Sequence, residues 1–151
     1  MSDVPAELPI FPLGNVVLLP GGLLPLHIFE PRYRAMIAAC LAGDRMLGIA
    51  RLRPGYEPTY EGRPPVVPIC GIGRIVACEE LADGRYNILV QGVARAHIDR
   101  ERPPNQPYRV ACLSPVGDAS YDAAAMQTQC DQFLAICRRM TPHLGASGEA
   151  L

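Results

Sequence analysis

The sequence contains no lysine, so all fourteen of its basic residues are arginines. A chain without lysine cannot make the amine–phosphate contact of a Walker A loop, and it cannot use lysine as a catalytic base. Charged residues make up only 19% of the chain, and the formal net charge is -1. The arginines occur in pairs diluted by Glu and Pro. This pattern predicts that the chain does not bind nucleic acid.

The sequence also lacks a long hydrophobic run and a Cys-x-x-Cys motif. The longest apolar stretch, Val16 to Phe29, is interrupted by Pro, Gly and His and is too short to cross a ~30 Å hydrocarbon core. The N-terminus has no basic signal-peptide start. Each of the six cysteines lies in an apolar context. We therefore predict free thiols in a reducing cytoplasm, and no membrane span.

Proline and glycine are frequent, with sixteen and fourteen residues, and they recur as punctuation between short apolar runs. This spacing predicts one β-rich domain. Pro9 and Pro12 are expected to confine the first run to a sheet edge, and Val16 to Leu19 to enter a buried strand. Asp83-Gly84 predicts a hairpin turn. Further extended segments are predicted at residues 23–29, 46–52, 66–79, 85–90, 93–99 and 108–113.

Two segments have helical periodicity. Pro31 is expected to open the first helix and Gly43 to end it, with Tyr33, Met36, Ile37, Cys40 and Leu41 on its apolar face. The second helix is predicted to begin after Ser120 or Asp122, to run to about Met140, and to stop before Pro142.

The segment from Leu8 to Tyr33, LPIFPLGNVVLLPGGLLPLHIFEPRY, resembles the opening of the amino-terminal domain of Lon proteases, which cereblon and stand-alone bacterial proteins share. CGIGRIVA at residues 70–77 and YNILVQGVARA at 86–96 extend the likeness to about residues 8–115. The resemblance implies an α+β fold that is mainly β, a PUA-like six-stranded pseudo-barrel with one inserted helix, followed by a C-terminal helix. The expected division is a β-rich domain at 1–117, a helix packed on or beside it at 118–142, and a flexible tail at 143–151.

Domains of this family continue through more helices, whereas this chain ends at Leu151. We interpret this as a truncated chain or a reduced variant, and the uncovered helix face predicts a homo-oligomer. The resemblance implies a non-catalytic module that binds unfolded or partner polypeptides. Lon peptidases use a Ser/Lys pair and Lon ATPases a Gly-rich loop ending in Lys, and a chain without lysine has neither.

Two other function classes stay open at this point. A small hydrolase would pair Cys70 or Cys78 with His97, although both cysteines are expected in buried strands where thiols are inert. A PUA-like module would bind RNA. His27, His97 and His143 have no partners at metal-ligand spacing, and the Gly71-x-Gly73 pattern lacks a third glycine, so neither metal nor cofactor is predicted.

The long proline-laced loop at residues 53–65 supplies the main binding candidates, Tyr56, Tyr60 and Arg63, because exposed aromatics and arginine dominate interface energetics. Addition of a strand at the expected edge near Leu8 to Leu13, with Phe11 and Leu13, is the alternative binding mode. Glu30, Arg32 and Tyr33 are interpreted as structural: a charge at the helix start, an ion pair and a core aromatic.

Overall fold

The computed structural model describes residues 4–118, 120 and 122–140, and it divides into two compact units between Gly117 and Asp118. The first unit contains six strands and a helix. In chain order these are β1 (Glu7–Leu13), β2 (Leu23–Ile28), α1 (Pro31–Ala42), β3 (Met46–Arg51), β4 (Ile69–Glu80), β5 (Tyr86–Glu101) and β6 (Arg109–Pro115). A single 3₁₀ turn, Glu57–Thr59, lies in the loop between β3 and β4.

The six strands form one mixed sheet in the order β2-β5-β4-β3-β1-β6, and a further pairing of β5 with β6 closes it. β1 and β3 are parallel, and the other pairs are antiparallel. The predicted α+β class with six strands is confirmed. The predicted strands at 85–90 and 93–99 are one continuous strand, β5. Its first half pairs with β2, and its second half pairs with β6.

The expectation that β1 is an edge strand is wrong, because β1 lies between β3 and β6. Its two halves nevertheless have different partners. Glu7 to Ile10 pairs with β6, and Ile10 to Leu13 pairs with β3. Pro9 and Pro12 therefore lie in half-strands that each pair on one side only. Because the other side of the backbone is unpaired there, the sheet tolerates residues that lack an amide donor.

Residues 16–19 do not form the expected strand. Leu18 is buried, but Val17 and Leu19 are 65% and 60% exposed. The segment instead passes over β4 and β5, where a Cβ at Gly71 would overlap the carbonyl of Leu18 and a Cβ at Gly92 that of Leu19. The amide of Gly92 donates to the carbonyl of Gly22 at 2.8 Å. The glycines of the CGIG and QG motifs thus allow close approach of a second backbone.

Helix α1 begins and ends where predicted, and Tyr33, Met36, Ile37 and Cys40 are buried. They pack with buried residues of β2, β4 and β5. In β5 these are Tyr86, Ile88 and Val90, so the alternation predicted for this strand is also confirmed. A second cluster from the strands around β1 forms the rest of the core. In β6 the buried positions are Arg109, Ala111 and Leu113.

In the second unit, helix α2 (Ala123–Met140) begins after Asp122, whose carboxylate accepts from the amides of Ala124 and Ala125 at 2.9 and 3.3 Å. Of the two predicted N-caps, Ser120 and Asp122, it is Asp122 that caps the helix. Neither of the two described α-helices is long and apolar enough to span a bilayer. The predicted stop at Pro142 and the predicted tail at 143–151 lie outside the described residues.

Candidate functional site

A cleft of about 210 Å³ opens in the first unit where the 53–65 loop meets the start of α1 and the residues leading into β6. Tyrosine, proline and arginine dominate its walls. The lining residues are Pro12, Arg32, Tyr33, Leu52, Tyr60, Glu61, Gly62, Arg63, Pro64, Pro104, Gln106, Pro107, Tyr108 and Arg109. The cleft adjoins the half of β1 that contains Pro12.

Arg32 lies in the first turn of α1, and its guanidinium is held between two tyrosine rings. The guanidinium carbon is 4.7 Å from the ring centre of Tyr33 and 5.0 Å from that of Tyr60. The Glu30 carboxylate holds Arg32 and Tyr60 in place: it accepts hydrogen bonds from Arg32 Nε at 2.9 Å and from the Tyr60 hydroxyl at 2.8 Å. These contacts connect the helix start to the loop and form one wall of the cleft.

One nitrogen of this guanidinium has no acceptor. Arg32 Nη2 is buried and has no hydrogen-bond partner in the described protein. A buried donor left unpaired costs about 1–3 kcal/mol, and more when it is charged. Proteins satisfy almost all such groups, so this buried N–H is an unfavourable feature of the packing between α1 and the loop.

The opposite wall is a network of two arginines around one carboxylate. Arg109 is buried and donates to Glu101 through Nε at 2.8 Å and also through Nη2, while its Nη1 donates to the Pro64 carbonyl at 2.8 Å. Arg63 donates to the same carboxylate at 2.9 Å and to the carbonyl of Arg102 at 3.1 Å. The network attaches the loop to β5 and β6.

The titration of these groups follows from their contacts. Burial, followed by the hydrogen bond to the Glu30 carboxylate, raises the pKa of Tyr60 above its ordinary value. Burial would raise the pKa of Glu101, but the hydrogen bonds from Arg109 and Arg63 outweigh it, and the pKa is lowered. Near neutral pH the Tyr60 phenol is therefore protonated, and the Glu101 carboxylate behind the cleft wall is ionised and paired.

Of the residues predicted to bind a partner, Tyr60 and Arg63 line the cleft. Tyr56 is 6.2 Å from Tyr60, ring centre to ring centre, and its ring packs on Gly14 without lining the cleft. Leu13 is half-buried and pairs with β3. Phe11 is buried, with its ring centre 4.3 Å from that of Tyr33, so the loop and the β1 candidates do not form one surface.

Sequence reasoning missed Arg32, Tyr108 and Arg109 as parts of this cleft. Arg32 was interpreted as one half of an ion pair, and it does pair with Glu30, yet it also forms the wall. Arg109 occupies a buried position of β6 in phase with Ala111 and Leu113. An arginine in phase with small and apolar residues on a strand was the available signal, because such a charge needs a buried partner.

In the described residues the hydrogen bond of His97 goes to Asp99, while Cys70 and Cys78 lie opposite Ala96 and Ile88 in the sheet. Cys70 is buried, which raises the pKa of its thiol to about 11, whereas His97 points from the exposed side of β5. His97 and Ser114 both bond to Asp99, at 3.0 and 2.6 Å. The carboxylate thus occupies the middle position that imidazole occupies in a Ser-His-Asp triad. Within the described part of the chain, no three His, Cys, Asp or Glu residues are grouped to hold a metal.

A second surface follows strand β2, which pairs only with β5 among the described strands. Leu23, Pro25, His27 and Phe29 alternate along it as exposed residues, and Leu23 and Phe29 are each 60% exposed. We call these four residues the β2 row. Pro25 and His27 line a pocket with residues of β4 and β5 that is more open than the cleft, and His27 is hydrogen-bonded to Asn87 at 2.7 Å.

The fold and the cleft define a small α+β domain with a preformed cavity. Residues 7–142 match the family model of the ATP-dependent protease La (LON) substrate-binding domain, and the chain belongs to this family.

Curated relatives include the Lon protease of Anaeromyxobacter dehalogenans, 31% identical over 79% of this chain, and Lon protease 2 of Myxococcus xanthus, 32% identical over 78%. The chain spans only 14% of the length of each. Among solved structures, the N-terminal domain of a Mycobacterium avium complex Lon protease shares the fold, with a TM-score of 0.65 at 21% identity over 91% of this chain and 72% of that one. A Lon N-terminal domain protein from Xanthomonas campestris matches with a TM-score of 0.60 at 27% identity, over 77% of this chain and 63% of that one.

Proposed function

We propose that this chain is a non-catalytic module that binds unfolded or partner polypeptides through the cleft between the 53–65 loop and α1. The observation that carries the proposal is which residue types line the cleft. Three tyrosines, four prolines and three arginines line a preformed cavity, and aromatic residues and arginine are the types that contribute most to polypeptide interfaces. The name of the family, a substrate-binding domain, supports the same class of function.

Several features support binding without turnover. The chain has no lysine, so it cannot build a Ser/Lys dyad or a Walker A loop. Cys70 and His97 are not in contact, and the Ser114-Asp99-His97 arrangement has the wrong order for acyl transfer. The charges of the cleft are largely paired with each other, which favours a polypeptide over a polyanionic nucleic acid. Neither a cofactor nor a metal enters the proposal, and we place the protein in the cytoplasm.

Fluorescence anisotropy with a permanently unfolded probe, reduced and carboxamidomethylated α-lactalbumin, tests this function. We expect the chain to bind the probe and Tyr60→Ala to weaken binding about tenfold or more. Tyr56→Ala is the matched control, because it removes the same side chain from the same loop outside the cleft lining, and its effect should stay below about threefold. Thermal unfolding checks that both variants fold. Lack of binding by the wild type, or a salt-sensitive gel shift with structured RNA in its place, would contradict the proposal.

Self-association through α2 is a separate part of the proposal. Met126, Phe133, Leu134, Ile136 and Met140 are each more than 40% exposed on this helix, and exposed apolar side chains favour association. Sedimentation equilibrium should show an oligomer that Phe133→Gln with Leu134→Gln dissociates. A monomer at all concentrations would remove this part and leave the cleft unaffected.

A further inference from the structure

The residues of α2 specify how two copies of this chain meet. We infer that α2 pairs with the α2 of a second copy in antiparallel orientation, about a two-fold axis between Cys130 and Phe133. The inference rests on the self-association that forms part of the proposed function, and it adds the orientation and the register of the two helices.

A stripe with coiled-coil spacing runs along the whole of α2. Its members are separated alternately by three and four residues, which is the spacing of the a and d positions of a heptad repeat. They are Ala123, Met126, Cys130, Phe133, Cys137 and Met140. In the described structure no residue of α2 is buried, and Phe133 is 65% exposed. A stripe of this kind fits a second helix, because its side chains insert into the gaps between those of a matching stripe.

Residue size alternates along this stripe. The a positions hold the small residues Ala123, Cys130 and Cys137, and the d positions hold the large residues Met126, Phe133 and Met140. In a parallel pair a meets a and d meets d, so small residues face small ones and large residues face large ones. In an antiparallel pair a meets d, so every layer combines a small residue with a large one. Layers of equal size fill the space between two helices without voids, and the pattern therefore favours the antiparallel orientation.

One register pairs the stripe with itself over its full length. In that register Ala123 faces Met140 of the second copy, Met126 faces Cys137, and Cys130 faces Phe133. Each contact occurs twice, once on either side of the axis, as in the closed two-fold interfaces of homodimers. Since α2 begins at Ala123 and ends at Met140, the register uses the whole helix.

The charges of α2 fit the same orientation. Asp122 caps the helix and Asp131 lies in its first half, whereas Arg138 and Arg139 lie in its last turn. Antiparallel helices place each acidic end beside the basic end of the second copy, and parallel helices would place like charges side by side. The charge distribution therefore complements itself only when the two helices run in opposite directions.

The residues that flank the stripe favour a second copy over the helix of another protein. The flanking e and g positions hold Gln127, Gln129, Leu134 and Ile136. Because these side chains are uncharged, two identical helices meet no repulsion there. Pairing with a different helix is usually selected by charges at the e and g positions, which α2 lacks.

Disulfide formation tests the orientation, because it requires Cβ atoms about 3.5–4.5 Å apart. In the antiparallel register, Met126→Cys places a thiol opposite Cys137 of the second copy. Met140→Cys is the matched control, since it is the same substitution at another d position and faces Ala123, which has no thiol. The full-length wild type and both variants are oxidised with copper phenanthroline and oxygen, which take two electrons and two protons from each thiol pair.

Tandem mass spectrometry of the linked peptides then identifies the joined positions. Cleavage before Asp131 separates position 126 and Cys130 from Cys137. We expect Met126→Cys to form a covalent dimer, joined from position 126 to Cys137, in about tenfold higher yield than Met140→Cys forms any dimer through α2. In this register the two Cys137 residues are about 16 Å apart along the axis, so the wild type should not join them.

A disulfide between the two Cys137 residues of the wild type, or between the two introduced thiols of Met140→Cys, would show parallel helices and overturn the inference. Equal dimer yields from both variants would overturn it as well. Thermal unfolding checks that each variant folds. If Met126→Cys does not fold, Phe133→Cys provides the second test, because it faces Cys130 of the second copy.

Sedimentation equilibrium keeps the failure of this inference separate from that of the proposed function. An oligomer that Phe133→Gln with Leu134→Gln dissociates, together with parallel disulfides, would retain self-association through α2 and remove its antiparallel register. A monomer at all concentrations would remove both, while binding of the unfolded probe by the cleft would still be judged by Tyr60→Ala.

Discussion

Each arginine of the cleft has a different set of partners, and those partners determine what the residue contributes. Arg109 satisfies its donors on Glu101 and the Pro64 carbonyl, so it orders the loop. Arg32 has one carboxylate and two aromatic faces as partners, so it connects the start of α1 to the loop. The same residue type therefore holds the loop in place from both walls of the cleft.

The Glu101 network predicts a pH-dependent contribution to stability. The pKa of this carboxyl in the folded chain is below its ordinary value of 4.5, so the unfolded chain binds more protons in acid. Its stabilisation is complete above about pH 4.5 and is lost as the pH falls through the lower, folded pKa. Glu101→Gln should cost about 1–3 kcal/mol at pH 7. Urea unfolding at several pH values should show this difference shrink below pH 4.5, and a constant difference would contradict the assignment.

Thiol reactivity tests the exclusion of a cysteine nucleophile. Burial raises the pKa of Cys40 and of Cys70 to about 11, so little thiolate exists at neutral pH and access is blocked. Iodoacetamide at pH 7.5, followed by peptide mass mapping, should label the exposed Cys130 and spare these two until urea unfolds the chain. Rapid labelling of Cys70 in the native protein would support the hydrolase interpretation.

At the scale of elements, close backbone approach explains the glycine motifs. Gly71→Ala should destabilise the protein by about 1–3 kcal/mol, because the new Cβ meets a backbone carbonyl that cannot rotate away. Gly117→Ala is the control, since nothing lies within 4 Å of its Cβ position. Thermal unfolding of both variants measures the difference. Equal midpoints would show that the 16–22 segment is not packed on the sheet as described.

The elements that could be predicted are those specified by local pattern. Pro31, the 3.6-residue spacing and Gly43 specify α1, and Asp83-Gly84 with alternating residues specifies the hairpin. The Val16–Leu19 segment could not be assigned correctly, because its course depends on glycines more than fifty residues away. The cleft was predicted only in its loop half, Tyr60 and Arg63. Its other half requires α1, β5 and β6 to meet in space.

At the scale of the whole molecule, the proposed binding site lies in the first unit. The cleft is built entirely from residues 12–109 of that unit, while α2 belongs to the second. Binding through the cleft should therefore not depend on residues of α2, and oligomer-breaking changes in that helix should leave affinity for an unfolded chain unchanged.

Mapping the bound polypeptide by ¹⁵N–¹H chemical shifts tests the central claim most directly. As the unfolded α-lactalbumin probe is added, we expect the largest shifts at Tyr60, Gly62, Arg63 and Tyr108, and we expect Tyr60→Ala to suppress them. Shifts concentrated on the β2 row, or no shifts at saturating probe, would contradict the assignment of the cleft as the binding site.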